Sequence, residues 1–489
     1  MDVRKVAYFC SRWTGVRGWS AAVALACAAG AVHAQMGNPS SGQNPFYGSV
    51  TLRPATDEVL QLSLDEAVRR GLENNLGLRE AEIGEKVIQG EKKEALQEFL
   101  PTITASGGTG VFQHNLAAQG FGPGTIKEFA SKLGMSGGSG FNPITRDDLT
   151  QGQINYSQIL FSGPVIAAWK GARAAERAAH FAKMSARGEV VQQVATAYLH
   201  AIAASSEVDQ AKALEQADQV QFDQTHAAHE AGTVANLDEL RARVQLQAQE
   251  QAVIAAQNEF DKDLILLKRE IGVDPGQKVM LTDQTPYSEL ADETPDEVRA
   301  MAYKNRQDWQ NLQNQLVEVR AIHASYRSQR LPTLTFGGYY GVDRVNGSPS
   351  HGVFVAAGQL SFPIFNEAKL RGDEDSAAAQ LASVQAQLDD LRSHIDQQVR
   401  SALLDVEATH KLVEVARSNV GLATRELSDE TDRVNAGVDD NLPLVTAQST
   451  LATAQSNLIE SLYQYNVSKL QLARAAGVLE QQYRVYLGQ

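Results

Sequence analysis

The segment LASVQAQLDDLRSHIDQQVRSAL, Leu381 to Leu403, decides the fold. Its apolar residues Leu381, Val384, Leu388, Leu391, Ile395, Val399 and Leu403 recur in steps of three and four. That spacing lays them in one stripe along an α-helix, with Asp, Gln, Arg and Ser over the rest of the surface. The proline-free stretch around it runs from Ile364 to Leu442. As one helix, roughly 70 residues at about 1.5 Å each reach about 100 Å, several times an ordinary globular helix. No compact core buries a stripe that long, so it needs neighbours along its whole length. Val165 to Asp274, also free of proline, supplies one, with Val190, Val194, Tyr198, Leu240 and Val244 in its stripe.

The two stretches belong to a duplication. Asp65-Glu66 recurs as Asp296-Glu297, Asn74 as Asn305, and Leu100-Pro101-Thr102 as Leu331-Pro332-Thr333, all at an offset of 231. Farther along, Phe161 pairs with Phe365 at 204, Ala231-Gly232 with Ala436-Gly437 at 205, and Gly272-Val273 with Gly477-Val478 at 205. A register this steady marks an internal repeat. The drop in offset places extra residues in the first half, between Thr102 and Phe161.

The repeat predicts a unit of helix, strand pair and long helical hairpin, made twice. Ser63 and Glu66 form a capping box that opens a helix expected to run through Leu96 and stop before Pro101. Residues 103–113 and 152–161 read as strands, as do 333–343 and 352–362, the second pair joined by the turn Asn346-Gly347-Ser348-Pro349. Between the first two, Asn115 to Thr150 reads as a long Gly-rich loop. Long helices follow over 164–231 and 236–272, and over 366–436 and 443–477, each pair joined by a glycine turn. The first repeat is thus 62–274 and the second 295–480. Residues 275–294 link them, 35–61 form an extended linker before them, and 481–489 form a C-terminal tail.

Residues 1–34 read as a secretory signal: Arg4, Lys5, Arg12 and Arg17 precede an apolar run from Ala21 to Val32, with Val32-His33-Ala34 as the cleavage site. Both cysteines, Cys10 and Cys27, fall inside it, so the mature chain has no disulfide and no thiolate chemistry. Cys27 offers the alternative of a lipidated N-terminus, although Ala24-Leu25-Ala26 before it lacks the expected leucine. The net charge of −14, without a basic block, disfavours nucleic acid. No later stretch has 18 consecutive apolar residues, so a membrane is crossed by strands or not at all. Four strands of about 10 residues are long enough to cross one, yet bacterial barrels start at 8 strands and open edges are not tolerated in lipid. Several chains must then share one barrel. The bland alternative is two ordinary hairpins packed on helices.

In these features the chain resembles the bacterial outer membrane efflux proteins, the TolC-like channel-tunnels, over nearly all of its mature length. The matching motifs are Leu62-Ser63-Leu64-Asp65-Glu66-Ala67 with Asn74-Asn75, the two Leu-Pro-Thr helix ends, Phe161-Ser162-Gly163, Pro363-Ile364-Phe365 and the two Ala-Gly turns. The resemblance implies a mainly α fold with membrane β: a homotrimer whose 12-stranded β-barrel is continuous with a periplasmic α-barrel. It implies a passive exit duct in the outer-membrane lipid, partnered by a periplasmic adaptor and an inner-membrane pump of RND or ABC type. Small residues such as Ala174, Ala175, Ala178 and Ala179 allow the close helix packing this needs. The resemblance also places the adaptor-docking tips at Gly232, Thr233 and Val234 and at Gly437 and Val438. Of the gate carboxylates that some members carry six residues past each tip glycine, Asp238 is present, whereas Pro443 takes the second place and Thr446 stands where another carboxylate occurs. Val434 replaces a bridging tyrosine. Asp439 and Asp440 are then the candidates for an acidic ring at the periplasmic gate. Two alternatives stay open: the outer component of a type I protein secretion system, and a soluble periplasmic coiled-coil scaffold without a pore.

Residues for catalysis or for a cofactor do not assemble in the sequence. His226, His229 and Glu230 have helical metal spacing, but the third ligand is not evident. The clusters Gly120-Phe121-Gly122-Pro123-Gly124 and Gly137-Gly138-Ser139-Gly140 lack the Gly-Lys-Ser/Thr ending of a phosphate loop. The expectation is a protein that is not an enzyme and needs no cofactor or metal.

Overall fold

A computed structural model describes residues 41–50, 54–120, 122–133, 144–291, 293–436 and 441–488. After a short strand β1 (Leu60–Leu62), the first repeat comprises α1 (Leu64–Asn74), α2 (Leu76–Gln97), β2 (Thr102–Asn115), α3 (Pro123–Lys132), β3 (Ile144–Phe161), α4 (Gly163–Glu230) and α5 (Asn236–Glu270). A strand β4 (Val279–Leu281) lies between the repeats. The second repeat comprises α6 (Pro295–Asn305), α7 (Gln307–Ser328), β5 (Thr333–Val345), β6 (His351–Ser361), α8 (Glu367–Asn435) and α9 (Asn441–Ala475), followed by α10 (Leu479–Leu487). The repeats match in length: α4 and α8 have 68 and 69 residues, and α5 and α9 have 35 each.

The helix expected from Ser63 through Leu96 is instead two helices. Asn75, at φ −62° and ψ 134°, leaves helical geometry for one residue, and Arg306 in the second repeat does the same at φ −66° and ψ 125°. The two breaks are 231 residues apart, in register with the duplication. Asn75 stabilises its break by capping α2, its side chain accepting from Leu78 N and donating to Phe46 O at 2.6 Å. Arg306 is held by Asp308 at 2.6 Å and Gln398 at 2.7 Å. Its backbone lies against Gly477, where a Cβ would stand 2.7 Å from Arg306 N, and the φ of +77° at Gly477 also demands glycine.

The four long strands form one antiparallel sheet in the order β2-β3-β5-β6. The central β3–β5 pair joins the repeats, and β2 and β6 are its edges. The strand β3 begins at Ile144, earlier than the expected 152, so seven residues assigned to the loop extend the sheet, and α3 occupies part of the remainder. In the second hairpin Asn346 and Gly347 both take positive φ, 50° and 70°, as a type I′ turn requires. Asn346 also reaches across to β3, donating to Asp147 Oδ1 at 2.9 Å and accepting from Asp148 N at 2.7 Å.

The long helices lie side by side. The helix α5 packs on α4, α4 on α9, and α9 on α8; nearer the sheet the order is α2, α4, α7, α8. The core is a band at mid-height, where α1, α6, α10 and the parallel β1–β4 pair gather on these helices. Leu62, Val190, Val194, Tyr198, Leu267, Ile271, Ile395, Val399 and Leu470 are buried there, each worth about 1.5–3 kcal/mol. Tyr198 OH donates to Leu62 O at 2.9 Å and to Asp283 Oδ2, which also accepts from Leu64 N at 2.7 Å. The segment 481–489, expected as a C-terminal tail, is largely helical as part of α10: Tyr486 and Leu487 enter the core and Tyr483 donates to Asp65 at 2.6 Å, while at the start of the same helix Leu479 is buried and Glu480 pairs with Arg187.

One buried acid gives this band a pH dependence. Glu270 accepts from Gln193 at 3.0 Å, and burial pushes its pKa up to about 8 from an ordinary 4.5. Its folded form binds a proton that its unfolded form releases above 4.5, so its stabilising contribution is complete below that value and is lost as pH rises through 8. Glu270→Gln is expected to raise the thermal midpoint relative to the parent at pH 8, with a smaller or reversed difference at pH 5. An equal difference at both pH values would contradict this assignment.

Candidate functional site

The sheet has two chemically different faces. Strand register puts Ile103, Tyr156 and Ala356 in one row, Ile154, Tyr340 and Phe354 in the next, and Phe336 and Leu360 toward the helices, all on the same side. This side is uncovered: Phe354 is 76 % exposed, Tyr340 67 %, Ile103 64 % and Leu360 62 %. The opposite side is more polar, carrying Thr104, Ser106, Gln151, Gln153, Asn155, Asp343 and Gln359 beside Phe112, Tyr339 and Val355, with Asn155 donating to Ser106 at 3.0 Å. An apolar face of this extent, set against a more polar one at a period of two, suits lipid on one side and water on the other. Where the sheet meets α8, Phe362, Ile364 and Phe365 are exposed as well, Phe365 almost fully.

The lateral edges are open. The edge formed by β2, α2 and α5 exposes Ile83, Val87, Leu237, Leu240, Val244 and Ile254. The edge formed by β6 and α8 exposes Leu404, Val415 and Leu422, on the side of α8 away from its buried Ile395, Val399 and Val413.

At the far end of the first hairpin, Gly232 takes φ +74° and closes α4 as a Schellman turn, with Thr233 N donating to Ala228 O at 2.9 Å and Gly232 N to His229 O at 2.8 Å. Thr233 Oγ1 donates to the same carbonyl at 2.8 Å, and Val234 leads into α5. Asp238 lies in the first turn of α5, where the helix dipole favours a carboxylate, and it pairs with Arg241 at 3.2 Å. His226 and His229 are brought together not with Glu230 alone but with Glu239 across the turn, at 2.8 Å and 3.6 Å. The Glu239 hydrogen bond holds the His226 pKa above its ordinary value, against desolvation. The sequence gives no motif for Glu239; its one signal is that folding the chain about Gly232 sets it opposite His226. Among the described residues no group of three or more His, Cys, Asp or Glu is arranged to hold a metal ion. Gly437, Val438, Asp439 and Asp440 lie outside the described residues; Val434 lies in the last turn of α8, after which Ala436 N donates to Asp432 O at 3.0 Å.

Residues 67–273 and 298–478 match the model of the outer membrane efflux protein family. The chain belongs to that family. The outer membrane efflux proteins are outer-membrane channels that extend into the periplasm, and the apolar sheet face and the helical body correspond to those two environments. Solved structures share the fold. A membrane protein from Pseudomonas aeruginosa superposes with a TM-score of 0.73 at 18 % identity, covering 85 % of this chain and 93 % of that one. The Campylobacter jejuni CmeC outer membrane channel gives 0.70 at 15 %, covering 89 % and 92 %. The open state of the Neisseria gonorrhoeae MtrE outer membrane channel gives 0.69 at 16 %, covering 88 % and 96 %. A comparison with curated protein sequences returned no match.

For this outer membrane efflux protein the two sheet faces should respond differently to charge. Phe354→Arg is expected to destabilise the bilayer-inserted protein by about 2–4 kcal/mol, whereas Gln153→Arg on the polar face leaves stability nearly unchanged. Denaturant titration in lipid reads both, and equal losses would show that the face assignment is wrong.

Proposed function

We propose that three copies of the chain close into one duct, a 12-stranded barrel in the outer membrane continuous with a helical tube in the periplasm. The observation that carries this is that both lateral edges are open at every level, from unpaired strands to apolar helix stripes. In lipid the free N–H and C=O groups of β2 and β6 must pair, and the two edges differ, so the join is head-to-tail and closes as a ring. The same join lays the Leu404, Val415 and Leu422 stripe of one copy against α5 of the next, burying both.

The duct serves as the passive exit of a tripartite efflux system. A proton- or ATP-driven pump of the inner membrane supplies the energy, a periplasmic adaptor links it to the duct, and small molecules pass through. The hairpin ends, Gly232 to Val234 and Gly437 to Val438, are the adaptor-docking tips. The periplasmic gate is formed by Asp238, which pairs with Arg241 in the first turn of α5, together with an acidic ring of Asp439 and Asp440.

Purified protein in planar bilayers tests both parts. The parent is expected to give single-channel currents that favour cations and are blocked by multivalent cations. D439N/D440N is expected to keep the currents and lose the block. A protein that gives no currents contradicts the duct, and an unchanged block contradicts the gate assignment.

A further inference from the structure

The first hairpin end carries more than a turn. Each of its two imidazoles stands between two acceptors. His226 Nδ1 is 2.8 Å from Glu239 Oε1, and its Nε2 is 3.6 Å from Glu230 Oε1. His229 Nδ1 is 3.1 Å from the Val234 carbonyl, and its Nε2 is 3.6 Å from Glu239 Oε2. A neutral imidazole has one N–H and one lone pair. It can donate to one acceptor only, and turns its lone pair on the other. The imidazolium turns an N–H to each, as a hydrogen bond at the shorter distance and as an ion-pair contact at 3.6 Å. Glu239 is the shared partner and its side chain is only 17 % exposed, while both imidazoles are open to solvent.

We propose that this cluster is a proton-operated staple: at acid pH the His226 imidazolium locks α5 to α4 through Glu239, and its deprotonation releases that lock. The remaining charges near it do not replace it. Asp223 of α4 adds negative charge, Asp238 and Arg241 of α5 pair with each other, and Arg243 follows one turn on. The other neighbour of α4, α9, has no charged residue in 441–459. Farther along the hairpin, Gln245 and Gln249 bond to Asp218 and to the Ala211 carbonyl, ties that hold α4 and α5 together when the end loosens. The His226 pKa is raised, first by the Glu239 hydrogen bond, with the Glu230 and Asp223 charges adding to it and desolvation opposing. A raised folded value means that this stabilisation is complete below the ordinary imidazole range and is lost as pH rises through the raised value. That the staple thereby sets adaptor docking by pH rests on the tip reading proposed above; the staple itself does not.

Hydrogen exchange of the intact protein in detergent, expressed as protection of the amides in 231–236, tests it at pH 5.5 and 8.5. The parent is expected to be about threefold to tenfold better protected at the lower pH, as suits two partly exposed ion pairs. In H226Q/H229Q and in Glu239→Gln, which keeps the size of the side chain, the ratio is expected to fall to about one. A parent ratio of one, or an undiminished ratio in both variants, overturns the staple whether or not an adaptor docks there.

Discussion

The structure depends on one constraint: a strand edge in lipid has no water to satisfy its backbone. The four-stranded sheet has one face of Ile154, Tyr340 and Phe354 that belongs against lipid, and it ends on both sides in strands with unpaired groups. Neither edge can be left open in a bilayer, and one chain has too few strands to join its own edges. Everything below the sheet repeats the same incompleteness. The row α5, α4, α9, α8 is a single layer with apolar residues exposed at both ends, which is a fragment of a wall and not a bundle around a core.

The duplication explains how one chain makes such a fragment. Each repeat sends two strands up and a helical hairpin down, and β3 pairing with β5 welds the two into one sheet. The mid-height band, where α1, α6 and α10 cover α4, α5, α8 and α9, supplies the conventional hydrophobic core that a wall one helix thick lacks. The single-residue breaks at Asn75 and Arg306 turn α2 and α7 out of that band and toward the sheet.

Much of this was legible in the sequence, because the signals were long or duplicated. The stripe through Ile395 and Val399 fixed a long helix, and the matched Ala-Gly turns fixed where the hairpins reverse. What was missed lacked a compositional mark. A flip of ψ at Asn75 or Arg306 needs no glycine or proline, and apolar periodicity continues on both sides. The first residues of β3 include Arg146, Asp147 and Asp148, which hide the alternation that a strand shows elsewhere, although Asn346 of the neighbouring hairpin binds two of them. The helix α10 has only nine residues, too few for its period to stand out. At the tip, His226 and His229 were visible as a pair, but the carboxylate that unites them belongs to the next helix and becomes a neighbour only once the chain has turned at Gly232.

The central claim is that closure comes from sister chains. Native mass spectrometry of the detergent-extracted mature protein tests it most directly. The account predicts a complex of three chains that separates into single chains only when heated in denaturing detergent. A folded single chain, stable in water without detergent, would contradict it.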